Sequence, residues 1–155
     1  MIQTKPIFGS PAEIAPPALS VTVLYTSVHP TLWALRRAAS LARDLGATIR
    51  ILDVRVVPYP LPLNKPPADR EVLARNISTL TDGQSIPTRI EICHGRDILD
   101  SLLQSLSPSS IVLIGVKRAW WSSKERRLAK QLSRRGHHVI FVGKDRGSGF
   151  RHVFS

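Results

Sequence analysis

The chain has 155 residues, 43% of them hydrophobic, and a mean hydropathy of −0.02, which suits one globular domain with a sizeable core. No apolar run approaches the roughly 20 residues of a membrane span, and residues 1–20 lack the apolar core and basic leader of a signal peptide, so a soluble, cytoplasmic protein is expected. The single Cys93 excludes an intramolecular disulfide. A net charge of +11 points to anionic partners, but it is unevenly spread. Before Lys117 eleven basic residues face nine acidic ones, whereas from Lys117 to Ser155 eleven basic residues face only Glu125 and Asp145. An electrostatic partner therefore concerns the last quarter of the chain.

Residues 1–20 hold four prolines and no periodicity, which reads as a flexible, proline-rich arm. VTVLYT (Val21 to Thr26) is a buried first strand. A helix from about Pro30 to Leu45 follows, with an apolar stripe through Ala34, Ala38, Leu41 and Leu45 and a stop at Gly46. The β-branched run Ala47 to Val57 predicts a second strand. The prolines between Pro58 and Pro67 then impose an extended linker or flap. A helix from about Ala68 to Leu80 leads into a third strand, PTRIEICHG, and a helix opened by Arg96 or Asp97 and closed by Pro108 leads into a fourth, Ser110 to Gly115. The basic helix KERRLAKQLSRR precedes a fifth strand, His138 to Gly143. This alternation predicts an α/β fold with three α/β/α layers and a five-stranded parallel sheet with right-handed crossovers. The domain spans 21–143, and the basic tail 144–155 is expected to be disordered or loosely docked.

The VTVLYT strand, the stretch HPTLWALRRAASLARDLGATIRILDV, the glycine-ended third strand with GRDILDSLLQSL, and the IVLIG and HHVIFV strands together resemble the universal stress protein family across about Val21 to Val142. That resemblance implies an adenine-nucleotide α-hydrolase-like, Rossmann-like fold with strand order 3-2-1-4-5, often dimeric. In the nucleotide-binding branch the first strand ends in an Asp and the fourth leads into a glycine-rich loop. Here Thr26 replaces the acid, Gly115 matches the first glycine, Arg118 stands in place of the second, and Glu125 to Arg127 occupy the region of the third. Glycines in such loops let the backbone approach phosphates, so the resemblance implies an altered site without the standard ATP loop. Gly115, Lys117, Arg118 and Trp120 are also similar to the glycine-poor Trp loop in the stress-protein-like domain of potassium sensor histidine kinases.

The expected ligand edge comprises Thr26, Ser27, Gly115, Ser122 and Ser123, converging at the carboxyl ends of the strands, with Val54, Lys117, Arg118 and Trp120 beside them. Hydroxyls and free helix amides there can hold a phosphate. Ser122 and Glu125 also have capping-box spacing, which would engage Ser122 instead. Trp121 shares a helical face with Leu128, Ala129 and Leu132, and Trp120 is the freer ring for stacking. Arg126, Arg127, Lys130 and Arg134 share the opposite face. Such a ridge is ordinarily just solvated; its functional reading is an anionic partner, whether nucleic acid, a nucleotide phosphate or an acidic surface. Adjacent Cys93 and His94, and adjacent His137 and His138, point to opposite strand faces and do not act jointly. No GKS/T, GxSxG, HExxH or CxxC motif is present. The expectation is a dimeric binding or regulatory module rather than an enzyme. The alternatives are an adenine-nucleotide binder, taking ATP, AMP or a cyclic dinucleotide, and a nucleic-acid-associated protein.

Overall fold

The computed structural model describes residues 19–60, 75, 86–117, 123–144 and 152–154. At its centre lie β1 (Ser20–Leu24) and β4 (Ile111–Gly115), short apolar strands whose last four residues are buried. Strands of this kind are covered on both faces. Val21, Val23 and Leu113 turn toward α1 (Val28–Leu45), while Leu24, Val112 and Ile114 enter a second core with Leu102, Ala129 and Leu132. Those three belong to α2 (Ile98–Ser105) and α3 (Ser123–Arg134). The period of two along each strand thus builds two cores on one sheet.

Outward from β1 run β2 (Thr48–Val56) and β3 (Thr88–Gly95); outward from β4 runs β5 (His138–Val142). These five strands are parallel in the order β3-β2-β1-β4-β5, as the resemblance implied. The expected loose tail is corrected at one point: His152–Phe154 form β6, antiparallel to β5, with Ile140 opposite Val153. β6 covers the outer edge of β5, whose unpaired backbone groups would otherwise template pairing with another chain.

Local chemistry accounts for the element ends. Gly46 adopts φ 63°, ψ 31°, and its N–H closes α1 onto Ala42 and Arg43 carbonyls, the left-handed cap that glycine accepts at no steric cost. Ala34, Ala38, Ala39 and Ala42 are buried and let α1 lie close on the sheet, while Leu45, expected on the same stripe, is 45% exposed. Asp97 caps α2 by accepting from the Asp100 amide at 3.0 Å, so its carboxylate has a structural role there. Half-buried Arg50 ties β2 to its neighbours: Nη1 donates to the Ser105 carbonyl at 2.6 Å and Nη2 pairs with Glu91 of β3. The helix expected at 68–80 lies outside the described residues except for Arg75, which is helical. The arm before Leu19 and the flap after Pro60 also lie outside them.

Candidate functional site at the carboxyl edge of the sheet

β1 is flanked by β2 on one side and β4 on the other, and the chain leaves β1 toward one face and β4 toward the opposite face. Such a switch point opens a crevice at the strand carboxyl ends. An open hollow of about 210 Å³ lies there, lined by Thr26, Ser27 and Pro30 from the β1 side and by Gly115, Val116, Lys117 and Glu125 from the β4 side. Of the residues expected at this edge, Thr26, Ser27, Gly115 and Lys117 line the hollow. Pro30, Val116 and Glu125 join them.

Each lining group has a definable state. Thr26 donates its hydroxyl to the Gly115 carbonyl at 3.4 Å, and its amide donates to Thr31 Oγ1 at 3.3 Å, fastening the ends of β1 and β4 together. Ser27 is the N-cap residue of α1 in extended conformation, φ −160° and ψ 169°, and its side chain makes no capping bond. Its carbonyl accepts from the Thr31 amide at 3.0 Å. Because Pro30 has no N–H, the first-turn donors that α1 itself does not use are the amides of Val28 and His29. Lys117 is exposed and Glu125 half-buried, so among the described residues the hollow is lined by one cation and one carboxylate.

Gly115 has a structural reason to be glycine. A Cβ there would lie 1.8 Å from the Pro30 carbonyl oxygen and 2.3 Å from its carbon. The first turn of α1 rests directly on the end of β4, and this contact gives the hollow its floor.

Other expected positions fall elsewhere. Val54 is half-buried in the second core, beside Cys93, and does not line the hollow. Ser123 opens α3. Arg118, Trp120, Trp121 and Ser122 lie outside the described residues, and with them the tryptophan loop and the capping box. Arg126, Arg127, Lys130 and Arg134 are all exposed, opposite buried Ala129 and Leu132. Cys93 Sγ lies 3.2 Å from Ser105 Oγ, on the α2 side of the sheet. His137 is buried and accepts from the Ser110 amide at 3.3 Å through Nδ1, while its neighbour His138 is exposed. Burial holds His137 below its ordinary pKa, with nearby His138 acting in the same direction.

A second polar group at this edge escaped sequence reasoning. Asp53, 6% exposed, accepts from Arg55 Nε at 2.8 Å, and Tyr25 at the end of β1 lies within their field. Burial raises the Tyr25 pKa, Asp53 raises it further, and Arg55 opposes them. Asp53 and Arg55 are two apart on a strand and so share a face, a signal that was present in the sequence. Beyond them Arg96 stacks 3.9 Å from the Tyr59 ring centroid and donates to the Val57 carbonyl at 2.9 Å, pinning the start of the proline segment to the end of β3.

Among the described residues there is no group of three or more His, Cys, Asp or Glu that could hold a metal, and no helix long and apolar enough to cross a membrane. No family model and no curated protein matches the chain. Solved structures do. A universal stress protein in complex with cAMP superposes with a TM-score of 0.54 at 14% identity, over 80% of this chain and 95% of that one. The universal stress protein from Archaeoglobus fulgidus gives 0.54 at 14% identity, over 79% and 92%. At this identity the likeness is one of architecture, and the fold of this chain is that of the universal stress proteins.

Proposed function

We propose that the protein is a binding module of the universal stress protein type, in which the β1/β4 hollow takes the phosphate of an adenine nucleotide and performs no turnover. The observation that carries this reading is the lining itself. An uncapping Ser27 hydroxyl and the spare Val28 and His29 amides stand at a helix N-terminus, with Lys117 across the hollow. Those amides and the helix dipole favour an anion, and Lys117 adds a full positive charge. The solved universal stress protein that holds cAMP shares this fold.

The lining also suggests which phosphate. Glu125 offsets Lys117, so a singly charged phosphodiester costs less to seat than a triphosphate. Gly115 is occupied in packing against Pro30, and the resemblance places Arg118 and Glu125 to Arg127 where a phosphate loop has glycines. Ligand is therefore held mainly from the α1 side, with Glu125 accepting from a ribose hydroxyl. Trp120, beside this edge in sequence, is the candidate base-stacking ring.

The test is a thermal-shift titration with cAMP, AMP and ATP. A ligand at about 100 times its Kd adds about 2.7 kcal/mol to stability by mass action, so a saturable rise in Tm is expected, strongest for cAMP and reduced in Lys117→Ala and Ser27→Ala. Absence of a shift for all three at millimolar ligand contradicts the reading.

A further inference from the structure

We infer that the outward face of α3 is a docking surface for the phosphate backbone of a nucleic acid, separate from the β1/β4 hollow. Arg127, Lys130 and Arg134 are exposed on that face, with Arg126 in the same row, while Ala129 and Leu132 on the opposite face are fully buried against the sheet. The helix is thus fixed in orientation by its core contacts. The ridge is not set by packing.

Stability does not explain the ridge either. Lys130 and Arg134 are like charges at i,i+4, and Arg127 and Lys130 are like charges at i,i+3; such pairs destabilise a helix. Lys124 and Arg126 also stand in the first turn, where the helix dipole disfavours cations. The one acid on the helix, Glu125, is half-buried and lines the hollow, so it does not lie among the outward charges. Neighbouring α2 has Asp100 and its cap Asp97 only at its start, and Ser101–Ser105 carry no charge. A face arranged against its own helix in this way gains from an external polyanion.

The pattern favours nucleic acid over a lipid surface. Arg127, Lys130 and Arg134 recur three and four residues apart, about 4.5 and 6 Å along the axis, a row of cations presented along one line to the regularly spaced phosphates of a strand. An amphipathic helix that lies on a bilayer buries apolar side chains there. Here Ala129 and Leu132 are already committed to the core.

The test is fluorescence anisotropy with a labelled generic DNA duplex between about 50 and 200 mM salt. A slope of log Kobs against log salt of about −3 is expected for three to four phosphate contacts. Arg127→Gln/Lys130→Gln/Arg134→Gln should weaken binding at least about tenfold and flatten the slope to about −1, while its Tm holds or rises because like-charge repulsion is relieved. A control that removes the same charge elsewhere, Arg36→Gln/Arg43→Gln/Arg89→Gln, should retain affinity and slope. Millimolar cAMP should not compete, so failure here is distinguishable from failure of the nucleotide reading. Equal losses in ridge and control variants, no duplex binding, salt-independent binding, or tighter capture by anionic vesicles than by duplex would each overturn the inference.

Discussion

The β1/β4 hollow and the α3 ridge both touch the charge-rich last quarter of the chain, yet they are built on different physics. Among the described residues, the hollow is lined by one lysine, one carboxylate and two hydroxyl side chains, at the N-terminus of α1. Its attraction is short-ranged and directional, suited to one small phosphate. The ridge is a row of cations with no acid among them, exposed along one helix face. Its attraction is long-ranged, insensitive to orientation and weakened by salt. A net charge of +11 is therefore spread over surfaces of different character, and each is expected to be disabled without the other.

The largest effect that separates them is expected at Gly115. Gly115→Ala drives a methyl into the Pro30 backbone, an overpacking that should cost about 1–3 kcal/mol in denaturant unfolding and lower nucleotide affinity by shifting the first turn of α1. Duplex binding by the folded variant should persist, because no ridge residue is touched. Next in size is the ridge triple substitution, with its at least tenfold loss of duplex affinity and unchanged cAMP response. Coincident loss of both activities in either variant would erase the distinction between the surfaces.

Smaller effects sharpen the same picture through titration. His137, at the amino end of the sheet away from the hollow, has a folded pKa below its ordinary 6.5. The unfolded chain therefore binds more protons in the window between the two values, and stability rises with pH there. Urea midpoints should be highest above pH 6.5 and fall as the pH drops toward the folded pKa. His137→Gln should flatten that slope without altering cAMP binding. The smallest expected change is spectroscopic: Tyr25 should ionise above 10.0, and Asp53→Asn should bring its titration down, because one of the two raising causes is removed. Tyr25→Phe assigns the signal against Tyr59. An unmoved titration in Asp53→Asn would place the carboxylate too far from the ring.

What could be read from sequence followed how local the causes were. The five parallel strands, α1 with its Gly46 stop and the outward α3 ridge rest on periods and end signals within single segments, and they were legible. β6 was not, because three residues carry no period and their strand character comes from hydrogen bonding to the β5 edge. Gly115 was matched to a phosphate-loop glycine, but its packing role depends on Pro30, which only the folded sheet brings near. Val54 was placed with the ligand edge, yet strand alternation turns it to the α2 side while Asp53 and Arg55 take the other. Thr26 and Ser27 were expected at the carboxyl edge from topology and Lys117 from the resemblance of its loop, and all three line the hollow.

The most direct test of the central claim is calorimetric titration of cAMP into the wild-type protein, Lys117→Ala and the ridge triple variant. Saturable one-site binding is expected in the wild type and the ridge variant, and weakened binding in Lys117→Ala. No saturable heat at millimolar cAMP, or a loss in the ridge variant equal to that in Lys117→Ala, would contradict a phosphate site in the β1/β4 hollow.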